Sequence, residues 1–233
     1  MPIHSPRETF DRALQKLLDQ VLLLGSMVEE AVQGAMEALQ RRDHIAARRI
    51  YAADQQINEK RYAIESECIA LIATQQPMAR DVRFLAAILE IITELERIGD
   101  YAKGICRINL LLGESLIDPA AWLSLQQMAT LGLDMLHRAL DAFVHQDVKA
   151  ARAIPAEDDA VDGLYNQLYR RLVAQMAGQP ETVERSNHLL WAAHNLERMA
   201  DRVSNICERI VYVSTGEIKE LDSTEGNIET PGN

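Results

Sequence analysis

Apolar residues recur at intervals of three and four along almost the whole chain, and no stretch keeps a period of two. That is the periodicity of amphipathic helices rather than of strands. Breakers are few. Pro77 and Pro180 each follow a Gln where one helical pattern gives way to another, and Gly216 closes the last pattern. The strongest internal break is Gly113-Glu-Ser-Leu-Ile-Asp-Pro119. The pattern predicts helices over 5–40, 44–75, 78–112, 119–145, 148–177 and 181–214. A helix of about 30 residues runs about 45 Å, and short connections make sequential neighbours antiparallel. The expected fold class is all-α: two pseudo-symmetric up-down-up three-helix bundles, 1–114 and 115–216, with a flexible polar tail over 217–233.

The two bundles are expected because the chain repeats itself. Asp43–Asn58 aligns with Asp147–Asp162 at a shift of 104 residues, matching Asp43/Asp147, Ala46/Ala150, Arg48/Arg152, Ile50/Ile154 and Asp54/Asp158. The shift is 103 at Gln76-Pro77/Gln179-Pro180 and 101 at Leu95-Glu-Arg-Ile-Gly-Asp100/Leu196-Glu-Arg-Met-Ala-Asp201. Two copies this long are a duplicated supersecondary unit rather than a solenoid, whose repeats are shorter.

Composition narrows the function. The chain has 233 residues, 48% of them hydrophobic and only 5% aromatic, which favours a helical core over a β-sandwich. A formal charge of -11 argues against nucleic acid as a ligand and against anionic lipid headgroups. It suits solubility, metal cations or a basic partner surface. No apolar run is long enough for direct membrane insertion, and no secretory signal opens the chain. Cys68, Cys106 and Cys207 lack zinc spacing and fall among apolar residues, as buried reduced thiols of a cytoplasmic protein would.

The chemistry sits at the edge of the apolar stripes. With Leu95 set at zero and about 100° per residue, Glu96 and Asp100 fall near 100° and 140°, on the shoulder of the stripe, with Glu90, Glu94 and Arg97 on the far side. With Ile57 at zero, Asp54 and Asn58 fall near 60° and 100°, also on a shoulder. The second half offers Asp158 and Asp162 beside Glu197 and Asp201. Like charges at i, i+4 repel, at a cost of a few tenths of a kcal/mol, and a hard cation reverses that sign by taking several oxygen ligands. The plainer reading pairs Glu96 and Glu197 with Arg97, Arg198 or nearby lysines on a solvated face. Asn205, one turn after Asp201, adds a carbonyl oxygen; its counterpart Gly104 adds none. His194, three residues before Glu197, is a lone histidine whose counterpart is Thr93. No Glu-x-x-His occurs, so the ligand pattern of ferritin-like di-iron enzymes is missing.

Asp54-Gln-Gln-Ile-Asn58, Gln76-Pro77, Glu94-Leu-Glu-Arg-Ile-Gly-Asp-Tyr-Ala102, Glu157-Asp-Asp-Ala-Val-Asp162 and Leu196-Glu-Arg-Met-Ala-Asp-Arg-Val-Ser-Asn-Ile206 together resemble the PhoU family of phosphate-uptake regulators, from the first helix to about Gly216. The resemblance implies a cytoplasmic regulator without catalytic activity, often a homodimer. It implies restraint of phosphate import and phosphate-starvation signalling (the Pho regulon) through contact with a phosphate ABC transporter (its ATPase or permease) and a sensor histidine kinase. It also implies metal at Asp54, Asn58, Glu96 and Asp100, and at Asp158, Asp162, Glu197 and Asp201. The residues do not choose among Mg²⁺, Mn²⁺, Fe and Zn²⁺, divalent or trivalent. Two rivals remain at this stage: a carboxylate-bridged metalloenzyme on the same helices, and a metal-free helical adaptor that meets basic partner surfaces.

Overall fold

The computed structural model describes residues 6–113, 117–217 and 219–221. Seven α-helices and two short 3-10 segments account for nearly all of them, with no strand among the described residues. In the first half, α1 spans Pro6–Arg41, α2 His44–Gln75 and α3 Ala79–Leu112. In the second, α4 spans Pro119–His145, α5 Val148–Ala153, α6 Asp158–Gly178 and α7 Val183–Thr215. Each half is a three-helix bundle: α1, α2 and α3 pack on one another, as do α4, α7 and the α5–α6 pair.

The repeat read in the sequence has a local physical meaning. Arg42 and Gln146, 104 residues apart, both turn the chain through left-handed backbone, at φ 56° and 53°. Asp43 and Asp147 follow as N-caps. Asp43 accepts from the backbone N–H groups of Ile45 and Ala46 at 3.0 and 2.8 Å, and Asp147 from Lys149 and Ala150 at 3.0 Å each. These bonds satisfy amides that a helix start leaves without partners. In both copies the cap's own N–H returns 2.9 Å to the preceding helix, Asp43 to Ala38 and Asp147 to Ala142.

The expected fifth helix, 148–177, is not continuous. Pro155 has no N–H to give and its ring crowds the carbonyl four residues back, so the chain tightens into a 3-10 turn over Ile154–Glu157. The helix restarts at Asp158. The equivalent of Pro155 is Tyr51, and α2 runs on unbroken. A second 3-10 turn, Pro180–Thr182, precedes α7. The expected tail begins with Glu217, and Leu221 turns back on the bundle: its N–H donates to Glu208 at 3.1 Å. Residues 1–5, 114–116, 218 and 222–233, which include the rest of the expected tail, lie outside the described residues.

The core is continuous through both halves. Leu17, Leu24 and Leu39 of α1 join Leu85, Ile91, Leu95 and Ile98 of α3, Leu125 and Leu136 of α4, and Leu196 and Ile206 of α7 in one buried cluster. Burial of each such side chain contributes about 1.5–3 kcal/mol. The central contact is α3 on α7, with α1 on α4 beside it. There Gly25 allows close approach, since a Cβ would lie 2.4 Å from Leu140 Cδ1, and Phe84 stacks on Phe143 with centroids 5.2 Å apart. Because α3 and α7 each touch both their own half and the other, their outward faces are largely used up. Beside this contact lie the shoulders where α3 meets α2 and α7 meets α6.

Candidate functional site

In the first half, that shoulder holds Asp54 and Asn58 of α2 opposite Glu96 and Asp100 of α3. Asp54 is 5% exposed. Its Oδ2 accepts from Lys103 Nζ at 2.6 Å and from Asn58 Nδ2 at 3.3 Å. Its Oδ1 is buried without a hydrogen-bond partner. Asn58 also returns Nδ2 to the Asp54 carbonyl at 3.3 Å, so its amide nitrogen is turned inward. Lys103 lies 3.7 Å from Asp100, which is exposed. Glu96 is half-buried, and its pKa is raised, first by burial and then by the charges of Asp100 and Asp54, partly offset by Arg61. Three carboxylates therefore share one electrostatic neighbourhood. Gly99 lets the helices close over it, because a Cβ there would come within 3.1 Å of Ile57 Cδ1.

The second half repeats the carboxylates with other neighbours. Asp158 and Asp162 lie on the first turns of α6, and Asp162 is near enough to Glu197 of α7 to act on it electrostatically. Glu197 has a raised pKa from burial, then from Asp201, with a smaller push from Asp162, while His194 acts in the opposite direction. His194 Nδ1 stands 3.2 Å from Glu197 Oε2. Arg198 pairs with Asp201 at 3.0 Å. Tyr165, which the periodicity did not single out, lies close enough that Glu197, after burial, raises its pKa. Asn205 turns elsewhere: its Nδ2 donates to Glu94 Oε2, 3.2 Å away on α3 of the other half.

Glu94 and Glu90, placed by the sequence on a far and solvated face, lie against α7. Glu94 is 12% exposed in its side chain and pairs with Arg202 at 3.3 Å and Arg97 at 2.8 Å. Glu90 pairs with Arg209 at 2.9 Å. The reason is tertiary, since the second half covers the side of α3 that an isolated bundle would show to water. Shifting by 101 residues maps Glu94/Asn205 onto Asn195/Gly104, and Asn195 does pack on Gly104, where a Cβ would lie 2.8 Å from its Nδ2. The two helices thus meet about a pseudo-twofold axis, with Glu94 and Arg202 paired on one edge and Asn195 packed on Gly104 at the other.

The donor set (carboxylate and amide oxygens on facing helices) has the chemistry of a hard-cation site. The buried Oδ1 of Asp54 and the raised pKa values of Glu96 and Glu197 mark uncompensated oxygen at both shoulders. Among the described residues, no three His, Cys, Asp or Glu side chains converge closely enough to enclose an ion as they stand. The side chains fit a cation only by the chemistry of their donor atoms. The cysteines offer no alternative: Cys68, Cys106 and Cys207 are free and buried, and burial pushes each thiol up to about 12. No helix among the described residues is long and apolar enough to cross a membrane.

Residues 21–108 and 125–210 each match the family model described as the PhoU domain. The chain is 36% identical to the phosphate-specific transport system accessory protein PhoU homolog of Streptococcus pneumoniae over 216 residues, 93% of this chain and 100% of that protein. It is also 36% identical to PhoU of Escherichia coli K12, over 89% of this chain and 86% of that one. The crystal structure of PhoU from S. pneumoniae superposes with a TM-score of 0.84 over 90% of this chain and 99% of that one, at 36% identity. That of PhoU from Pseudomonas aeruginosa gives 0.85 over 89% and 100%, at 32% identity. With both halves matched, and relatives that align along nearly its whole length, the chain belongs to the PhoU family.

Proposed function

We propose that this protein is a cytoplasmic, non-enzymatic accessory regulator of phosphate transport. In this reading it restrains uptake and phosphate-starvation signalling by contact with a phosphate ABC transporter and its sensor histidine kinase, and it works as a homodimer. The observation that carries the proposal is family membership through both halves, with relatives named as phosphate-specific transport accessory proteins at 36% identity. Acidic helical faces suit action by binding, and binding is stoichiometric. Deleting the gene is expected to raise phosphate accumulation and to switch on starvation-induced genes in phosphate-rich medium. Graded re-expression should restore repression in proportion. Unchanged uptake and unchanged reporter expression in the deletion strain would refute it.

The proposal includes divalent or trivalent metal at two half-sites, one held by Asp54, Asn58, Glu96 and Asp100, the other by Asp158, Asp162, Glu197 and Asp201. A bound cation would supply positive charge that cancels the repulsion among these carboxylates and ties α2 to α3 and α6 to α7. The protein's part is to hold oxygen donors on rigid helices, where little reordering is needed on binding. Glu96→Ala with Asp100→Ala, combined with Glu197→Ala and Asp201→Ala, should lower the metal content measured by elemental analysis. Equal content in that variant would remove metal from the reading. A metal-free adaptor is the second reading, favoured by the Lys103 ammonium already seated on Asp54.

A further inference from the structure

Each half has a corner where its first interhelical turn lies beside the last turns of its final helix. In the first half this corner holds a depression of about 390 Å³ lined by Arg48 and Tyr51 of α2 and Arg107 and Leu110 of α3. A second depression, of about 400 Å³, shares Arg107 and runs on past Leu111 to Trp191 of α7. The shifts of 104 and 101 residues map Arg48, Tyr51, Arg107 and Leu110 onto Arg152, Pro155, Glu208 and Val211. That second corner is covered by the chain itself. Leu221, beyond α7, packs on the core and donates its N–H to Glu208 at 3.1 Å. Glu217 has its pKa lowered chiefly by its hydrogen bond with Lys219, with a smaller push from Arg152. At the first corner, neither Arg48 nor Arg107 has an ion pair or a side-chain hydrogen bond among the described residues, although acids outnumber Lys and Arg by 35 to 24 in the chain. Residues 41–51 carry four arginines against one aspartate, where 145–155 carry Lys149 and Arg152 against Asp147.

Resting on the reading that this protein acts by contact, we propose that the Arg48–Arg107 corner is a docking groove for an extended acidic segment of a partner protein. Such a segment would cover the first corner as Glu217 and Leu221 cover the second. The chemistry of the walls selects it. Where Glu208 accepts a backbone N–H, Arg107 can only donate, so the first groove takes acceptors, and carboxylates match the guanidinium fork. Tyr51, Leu111 and Trp191 are exposed and offer apolar area to a Leu or Phe beside those carboxylates, as the second corner takes Leu221. The chain as a whole, at -11, repels an acidic segment, which confines its docking to this basic corner.

The test uses the full chain and a fluorescein-labelled peptide, Glu-Ile-Glu-Glu-Leu-Asp, which is the sequence of 217–222 with the lysine that pairs with Glu217 changed to glutamate. Fluorescence anisotropy should show saturable binding. Arg107→Glu, which copies Glu208 into the first corner, should weaken it by about tenfold or more, the scale of a lost charge-assisted hydrogen bond. Arg107→Lys, which keeps the charge without the fork, should fall between and guards against an Arg107→Glu protein that fails to fold. Arg152→Ala, at the covered corner, should leave binding unchanged, and the neutral peptide Gln-Ile-Gln-Gln-Leu-Asn should not bind. No peptide binding to unsubstituted protein, or binding that survives Arg107→Glu, would overturn the proposal. Tighter binding of inorganic phosphate or ATP through the same two arginines would also overturn it, by making the corner a small-oxyanion site. So would a change of oligomeric state in Arg107→Glu on sedimentation, by making it a contact between copies. In cells, Arg107→Glu at normal protein level should switch on starvation-induced genes in phosphate-rich medium. Full repression by that variant, in a strain where deletion derepresses, would count against the groove. A deletion strain with no phenotype would instead overturn the contact reading and leave the peptide measurement to decide the groove.

Discussion

The first half of the molecule balances its buried carboxylate with a lysine from the neighbouring helix, whereas the second half has a serine at that position and an arginine paired with Asp201 at the rim. Asp54 lies within an unbroken α2 and is 5% exposed, with Lys103 at 2.6 Å. Asp158 lies just past a proline-induced 3-10 turn, at the N-terminus of α6. A duplicated unit can keep its carboxylates and still tune each copy separately, because a charge at one helical position i+3 from a carboxylate changes its electrostatic surroundings without moving the backbone. The edges of the α3–α7 contact teach the same lesson: Glu94, Arg202 and Asn205 on one edge correspond to Asn195, Tyr101 and Gly104 on the other.

The largest expected effect breaks the comparison between edges. Glu94→Ala leaves Arg202, 13% exposed in its side chain, without its carboxylate at the interface between halves. It should cost about 3 kcal/mol in urea unfolding, the scale of a buried pair that loses one partner. Asn195→Ala on the other edge should cost less than about 1 kcal/mol, the scale of one ordinary polar contact. Equal losses would show that the edges are energetically equivalent after all.

Next comes a clamp that only the first half possesses. Asn109 is fully buried and donates to the carbonyls of Ala38 at 2.9 Å and Asp43 at 3.3 Å, pinning α3 to the α1–α2 turn. The second half has Ile210 in its place. Asn109→Ile, which copies the second half into the first, should destabilise by about 1–3 kcal/mol, since the carbonyls lose a donor and extra volume enters a packed site. A neutral result by chemical denaturation would mean that the turn is held by its cap alone.

The caps should behave alike, which sharpens the symmetry. Asp43→Ala and Asp147→Ala each remove two hydrogen bonds to a helix start and should each cost about 1 kcal/mol. A thermal melt in which only one variant is affected would show that one α-helix start is redundant, most readily the short α5.

The smallest effect is electrostatic and depends on pH. Glu96 and Glu197 hold their protons to higher pH in the folded chain than the ordinary carboxylate value, because of burial and neighbouring acids. Between the unfolded and the raised folded value, the folded state therefore binds more protons, and stability falls as pH rises through that window. Without metal, Glu197→Gln should raise the melting temperature at neutral pH by roughly 2 °C and Glu96→Gln by less, both gains vanishing in acid below the unfolded value. A gain of the same size at low pH would point to packing instead of charge.

Much of this is legible in the amino-acid sequence alone. The helix ends and the repeat followed from three- and four-residue spacing and from breakers at Pro77, Gly113 and Gly216, because a helix fixes its own period and its own stops. Asp43 and Asp147 stood out as repeated positions, and the structure gives them one role as caps. The break at Pro155 was readable too, since a proline eight residues into a helix cannot donate. The repeat with an unbroken first half masked it.

The sequence by itself determined the all-α class, the duplication, and the shoulder on which Asp54, Glu96 and their counterparts lie, since each depends only on local periodicity. Lys103 falls near 80° on the same wheel, so its nearness to the carboxylates was available from the angle alone. Only the tertiary structure decided what that nearness meant. Packing α2 against α3 seats the ammonium on Asp54, and packing α3 against α7 draws Glu94 into the joint between halves, while Glu90 stays exposed and pairs with Arg209. A helix sets where a side chain points, but the partner it meets belongs to another helix a hundred residues away, and no local period encodes that distance.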